Sequence, residues 1–470
     1  MPRLAPLLLL LAGLLLPTPA LSAAATAQVP AATQGQAPDA AQGQAPGQVP
    51  APDPVPDSAP RSSGELRVFL VTMGQGDEVW ERFGHNALVI TEAATGQGLA
   101  WNWGLFDFGE VDFIPRFLRG DMRYQMGPQD PEQMLAEYRM QDRTVWANEV
   151  LLSAGEARAL QTLVRSTFDS DARFYRYDYF RDNCSTRVRD ALDQVLNGAI
   201  ARTFSTRETD RSYRWHCRRL VGETRWIDLG LSYLLGLRGD RPRTEHEVMF
   251  IPMDLMTLLE ETPLRMGDGS TRRLLGPRQV LHQSSRPPTP RDAPGFDVWT
   301  LVFGLLLGGL VAGLAPAASR RSRSARAAAA LVGTAWSLLA AGLGWLLVFA
   351  WFTDHTFIHW NLNLLHTNPL SVAVAVLLPV ALLRGRKAGP GLLRTLALLT
   401  GIIAALSWGT AALQLIPPLR QGNAEVLALA LPLNLALWLL AVALVQAAPR
   451  PAARPGSGAP AGSATGPARS

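Results

Sequence analysis

The sequence predicts an α+β domain outside the cytoplasm, followed by an α-helical transmembrane bundle. Three observations carry that prediction. The first residues have the order of a secretory signal, residues 64–290 pass from strand-like to helical patterning, and residues 297–448 hold long apolar segments separated by short loops.

Arg3 precedes an apolar run from Leu4 to Leu16, and a small-residue stretch, Ala20-Leu21-Ser22-Ala23, follows. This basic, apolar, small order is that of a signal peptide, and the run is shorter than the roughly 20 residues of a membrane span. Residues 1–23 are therefore expected to be cleaved near Ala23. Residues 24–63 are rich in Ala, Gln, Pro and Gly, a composition that cannot bury enough apolar surface to offset its ordering entropy. They are expected to form a disordered linker.

The formal charge is +5, yet Lys387 is the sole lysine and arginine carries the rest. No basic stripe interleaved with aromatics is present, so nucleic acid is not an expected partner. Residues 64–290 have no lysine for a Ser-Lys dyad or a Schiff base, which removes both mechanisms.

Five apolar segments follow Arg291, near Val298–Ala315, Leu331–Phe352, Pro369–Leu383, Leu392–Ile416 and Val426–Ala447; the third is short for a span. The first connection carries Arg320, Arg321, Arg323 and Arg326, and the third carries Arg384, Arg386, Lys387 and Arg394. The second, 353–368, has neither Lys nor Arg. Basic and non-basic loops alternate as the positive-inside rule requires for an N-terminal domain outside and a tail, 449–470, in the cytoplasm. The expected location is the cytoplasmic (inner) membrane, with the N-terminal domain periplasmic. In the outward loop His355 and His359 lie four apart beside Asp354. That pair alone falls short of a metal site, and an interfacial segment with Trp360 at headgroup level is the preferred reading. No metal or cofactor is assigned.

In the exported domain Leu66–Thr72 alternates and Ala87–Thr91 is a short apolar strand. The turn Ala94-Thr95-Gly96-Gln97-Gly98 leads into Leu99–Phe108 as hairpin partner. Ser153 with Glu156 resembles a capping box for a helix to about Thr167. Asn183 is placed to cap a helix from Cys184 to Asn197, with Gly198 as its stop. Cys184, Val188, Ala191, Leu192, Val195 and Leu196 share one face of that helix.

A thiol in the first helical turn is expected to have a lowered pKa, because free N–H groups and the helix dipole favour thiolate. The same N–H groups can stabilise an oxyanion. His85, in Phe83-Gly84-His85-Asn86 before a strand, is the candidate base. A nucleophilic Cys with a strand-borne His is the papain-like arrangement. The opposing reading is a Cys184–Cys217 disulfide, since an even cysteine count outside the cytoplasm commonly signals one. The two readings stand level on chemistry alone.

Several blocks resemble the Lnb N-terminal periplasmic domain family. They are Phe83-Gly84-His85-Asn86-Ala87, the run Trp101-Asn102-Trp103-Gly104-Leu105-Phe106-Asp107-Phe108, Phe117-Leu118-Arg119-Gly120 with Tyr124, and the run from Tyr177 through Asp182-Asn183-Cys184-Ser185-Thr186-Arg187 to Asp190. The similarity spans about Glu65 to Leu259. Asn361-Leu362-Asn363-Leu364-Leu365 before Asn368-Pro369-Leu370 also resembles the membrane part of some members. The resemblance implies a permuted NlpC-like fold with His before Cys and activity like that of a lipoprotein intramolecular transacylase. Such an enzyme moves an acyl chain from a lipid anchor to the α-amine of the N-terminal cysteine. Carried over, Cys184 is the nucleophile and His85 the base, with a lipoprotein or phospholipid as acyl donor and membrane lipid as surroundings. Asn102 and Asp107 are both candidates to orient His85; a hairpin centred on Gly96-Gln97 puts Asp107 nearer, and a one-residue bulge would change that. Arg187 and Arg189 are expected to pair with Asp190 and Asp193. Two other function classes stay open: a cell-wall amide or peptide hydrolase, and a non-catalytic binding module with the disulfide formed. Oligomeric state is left unassigned.

Overall fold

The alternation at the start of the exported domain becomes a sheet because each strand has one face for each of two helical layers. In this computed structural model the described residues are 65–107 and 109–448. The signal peptide at 1–23, the linker at 24–63 and the tail at 449–470 lie outside them.

Strands β1 (Leu66–Met73), β2 (His85–Glu92), β3 (Gly98–Leu105), β4 (Arg123–Gln129), β5 (Val145–Glu149), β6 (Phe174–Arg176) and β7 (Gln279–His282) form an antiparallel seven-stranded sheet ordered β7-β5-β1-β2-β3-β4-β6. Val68, Leu70, Leu88, Ile90, Trp101 and Trp103 point to one face. Helices α3 (Ala154–Phe168), α4 (Cys184–Val195) and α9 (Pro252–Glu261) pack there. Val71, Met73, Ala87, Val89 and Ala100 point to the other face, where Met134 of α2 (Pro131–Met140) covers them. The short helix α1 (Phe113–Arg119) lies between β3 and β4. Helices α5 (Ala199–Phe204), α6 (Tyr213–Val221), α7 (Arg225–Leu234) and α8 (Glu245–Val248) complete the domain. It is a mixed α/β domain.

The caps fall where the side chains allow them. Ser153 and Glu156 close a capping box at α3, and Asn183 with Thr186 closes another at α4; each cap contributes on the order of 1 kcal/mol. Gly198, at φ 79°, takes the left-handed turn that ends the α4 region. The β2–β3 hairpin pairs Thr91 with Gly98 and Ala87 with Asn102, leaving a loop around Gly96 at φ 71°. Asn102, not Asp107, is thereby set beside the start of β2.

Beyond residue 297 come α10 (Val298–Ser319), α11 (Arg323–Ala350), α12 (Ser371–Arg384), α13 (Pro390–Leu413) and α14 (Ala424–Gln446). Among the described residues four of these, α10, α11, α13 and α14, are long and apolar enough to cross a membrane. Helix α12 has 14 residues, about 21 Å of length, and falls short by itself. Its start is lowered into the bundle: a Cβ on Gly344 would meet Thr367 O and Asn368. At its other end the Leu382 carbonyl accepts from Arg326 Nη1. The polar segment 361–370 and α12 together thus carry the chain along α11 from Gly344 to Arg326.

The bundle is tied to the soluble domain through buried polar groups. The last carbonyls of α7 have no partner within the helix. Asn361 Nδ2 donates to Tyr233 O and Leu234 O at 2.8 and 3.0 Å, and Asn363 Nδ2 to Tyr233 O at 2.9 Å. Gln421 and Asn423 hold those asparagines from below, at 2.9 and 2.6 Å. Arg218 of α6 bridges Asp228 of α7 and Glu425 of α14, at 2.8 and 2.9 Å. Breaking such a buried pair on one side costs about 3–5 kcal/mol.

Candidate active site

Cys184 opens α4, and its helix lies across β2 and β3 so that the thiol reaches the splayed ends of those strands. Gly104 bulges there at φ 90°, and a Cβ on it would lie 3.7 Å from Cys184 Cβ. Asn86 locks the helix to the strand. Its side chain accepts from Thr72 Oγ1 at 2.9 Å and donates to Ser185 Oγ at 3.1 Å, while its backbone N–H points at the Cys184 sulfur. Ser185 Oγ in turn donates to Met249 O at 2.7 Å.

His85, the residue before Asn86, turns to the opposite sheet face. Its Nε2 lies 3.1 Å from Asn102 Oδ1. A carbonyl oxygen only accepts, so Nε2 carries the proton and Nδ1 keeps its lone pair. Asn102 is held by Gln129 Oε1 at 3.5 Å and is buried. The ring of Tyr138 stacks on His85 at 6.3 Å, and the Arg143 guanidinium lies 4.8 Å over Tyr138. Arg143 is anchored by Gly74 O at 3.0 Å. Asp107 stays in its own turn, accepting from Gly109 N at 2.7 Å. The structure thus joins His85 to Asn102, sets Asn86 between His85 and the start of the Cys184 helix, and leaves Asp107 apart.

The expected low thiol pKa is overturned. Burial pushes the Cys184 thiol up to about 11, against the opposing pull of the Asn86 and Ser185 amides and of Arg143. Desolvation of the buried thiol outweighs the helix terminus. Burial also pulls His85 down to about 4; the Asn102 bond opposes this and Arg143 adds to it. The resting pair is therefore a neutral thiol and a neutral imidazole. Asn183 Oδ1 occupies the Ser185 and Thr186 amides at 2.9 Å each, so these are not free for an oxyanion. The Cys184 amide precedes them at the helix start.

Both cysteines are free thiols, and they lie in separate clusters. Arg187 pairs with Asp182, not with Asp190 or Asp193, while Arg189 pairs with Asp190 at 2.8 Å. His355 and His359 do not share a helix face: each ring Nε2 lies against backbone carbonyls, Phe117 O at 2.8 Å and Ala350 O at 2.9 Å.

Residues 62–218 match the profile of the Lnb N-terminal periplasmic domain. The chain carries such a domain, followed by its membrane helices. No curated protein and no solved structure matches the chain. The Lnb match contains His85, Asn102 and Cys184 and stops after α6 has begun, short of the similarity to Leu259 expected from the sequence.

Aromatic side chains link the thiol region of the Lnb domain to the membrane loop. A Cβ on Gly104 would touch both Cys184 and Tyr177. From Tyr177 the rings run through Tyr124 (4.3 Å), Phe106 (4.8 Å), Phe113 (5.9 Å) and Phe117 (6.2 Å) to His355 (6.1 Å). Ile114, Phe117 and Leu118 of α1 are exposed beside this path, and Asp354 N donates to Arg119 O at the end of α1. Asn86, Tyr138 and Arg143 escaped sequence reasoning. Asn86 stood inside the Gly-His-Asn block and was legible as a polar residue on a core strand; nothing in local pattern places Arg143 beside His85.

Proposed function

We propose that this chain is a membrane-anchored Cys-His acyltransferase of permuted papain-like, NlpC-like type, acting on a lipid-linked substrate in the outer leaflet of the cytoplasmic membrane. The observation that supports it is the His85–Asn102 bond at 3.1 Å next to Asn86, whose side chain anchors the start of the Cys184 helix through Ser185 at 3.1 Å. His85 Nδ1 takes the Cys184 proton as sulfur attacks the ester carbonyl. The Cys184 amide is the donor nearest the developing oxyanion. The carbonyl–oxygen bond breaks, His85 returns the proton to the leaving alkoxide, and a Cys184 thioester remains. An amine then attacks the thioester and loses its proton to His85. The carbon–nitrogen bond forms, the carbon–sulfur bond breaks, and His85 passes the proton to the departing sulfur, which restores the thiol.

The aromatic path from Tyr177 to His355 supports a lipid donor, since it joins the thiol to the side of the domain that rests on the apolar helices. A lipoprotein or phospholipid is the acyl donor in this reading, and no cofactor is required. Mass spectrometry of lipoprotein N-termini, with and without the full chain, tests it. An added acyl group that disappears in Cys184→Ala is the expected result. Unchanged N-termini together with cleaved cell-wall peptides would assign the domain to amide hydrolysis instead.

A further inference from the structure

A second cavity lies outside the matched domain's catalytic groups, where the soluble domain meets the loop between α11 and α12. It has a volume of about 390 Å³, and four arginines line it: Arg181, Arg238, Arg241 and Arg243. Phe357 and Trp360 of the loop form the remaining wall, with Trp360 exposed.

The charge there is poorly neutralised. Glu247 serves both Arg241 and Arg243, at 2.6 and 3.1 Å. Among the described residues no carboxylate lies within ion-pair distance of Arg181 or Arg238; the Arg181 guanidinium stacks over Phe357 at 4.8 Å. Arg243 is 2 % exposed, and its buried Nε has no hydrogen-bond acceptor. Trp360 is held at φ 54°, a left-handed conformation uncommon for an aromatic residue, and its carbonyl accepts from Leu237 N at 3.3 Å. The loop is thus fixed with its indole at the rim of the basic cavity.

We propose that this cavity binds the phosphate headgroup of an anionic phospholipid from the leaflet beneath the soluble domain. Guanidinium forks match phosphate oxygens in pairs, and Trp beside Arg is the pairing found at headgroup depth. The location selects a lipid over a soluble anion: the cavity wall belongs to the loop joining two apolar helices, so a headgroup enters with its acyl chains already in the bilayer. Nothing in this site depends on acyl transfer at Cys184.

The test uses the full chain in neutral detergent and native mass spectrometry with phosphatidylglycerol, phosphatidylcholine and inorganic phosphate as probes. Phosphatidylglycerol is expected to stay bound and phosphatidylcholine to dissociate. The double variant Arg181→Gln/Arg238→Gln should lose phosphatidylglycerol by about 100-fold, roughly tenfold per charge-assisted contact. Arg278→Gln, a remote arginine paired with Glu260, should retain it. An unaltered melting temperature shows that the double variant is folded. If it is not, Arg181→Lys/Arg238→Lys keeps the charge without the fork and should bind with an intermediate loss. Equal retention in the folded variants and the parent overturns the proposal, as does equal retention of phosphatidylcholine. Displacement of the lipid by an equal concentration of inorganic phosphate overturns the assignment to lipid.

Discussion

Cys184 and Cys217 are both buried thiols, and their surroundings differ in kind. Cys184 begins a helix, takes a strand amide on its sulfur and adjoins a histidine segment fixed by Asn102. Cys217 lies inside α6 among Phe180, Tyr213, Leu220 and Phe250, and burial pushes its thiol up to about 12. Its neighbour His216 is pulled down to about 3 by burial and nearby arginines, and neither ring nitrogen has a hydrogen-bond partner. The nearest carboxylate, Asp254, lies 3.5 Å from Nδ1 and is engaged by Arg219 at 2.7 Å. A thiol beside an imidazole is thus only packing until something orients the ring and receives the developing charge.

That contrast can be broken most sharply by exchange of the sulfurs. Cys184→Ala is expected to abolish acyl transfer, by 10³-fold or more on the order of a lost nucleophile. Cys217→Ala should keep turnover and cost about 1–2 kcal/mol of stability, read as a lower melting temperature. Activity surviving in Cys184→Ala would end the proposed mechanism. His85→Ala should lose about 10²–10⁴-fold, the usual worth of a positioned base. Asn102→Ala should lose roughly 10²-fold in kcat through a misplaced ring, and Asp107→Asn should change little. An Asp107 effect larger than that of Asn102 would move the orienting role along β3.

A smaller effect lies in the pH profile. In the proposed mechanism the base is the neutral His85 imidazole, whose folded pKa is near 4, below the usual value of 6.5. Activity is therefore expected to persist as pH falls through 6.5 and to drop only near 4. A midpoint near 6.5 in kcat/KM would show that His85 is solvated in the working enzyme. The least effect concerns alkylation. With thiols near 11 and 12, iodoacetamide should react slowly with both cysteines at neutral pH, somewhat faster at Cys184, and rapidly with both after denaturation.

Much of this arrangement was readable in the chain because strand alternation and cap residues act locally. The alternation of Leu66–Met73 named its faces, Ser153 and Asn183 marked helix starts, and Gly-His-Asn with Asp-Asn-Cys marked the candidate site. What escaped depends on distant partners. Alternation does not set hairpin length, so a turn centred on Gly96-Gln97 favoured Asp107 until the Ala87–Asn102 pairing put Asn102 beside His85 instead. The helix terminus suggested a thiolate, but the burial of Cys184 comes from packing against distant strands. Arg143 reaches His85 across Tyr138, through a contact no periodicity encodes. The two asparagines at 361 and 363 resembled a motif, yet their work as caps for α7 appears only when the two halves meet.

The lowered start of α12 has a mechanical consequence. Irregular polar backbone survives at membrane depth only where protein encloses it. Segment 361–370 meets that condition by gripping α7 above and Gln421 and Asn423 beside it. A rigid strut therefore runs from the bilayer interior to the soluble domain, and it cannot slide without exposing unpaired amides. The soluble domain is thereby held at one clearance over the apolar helices, like a stylus over the surface it tracks.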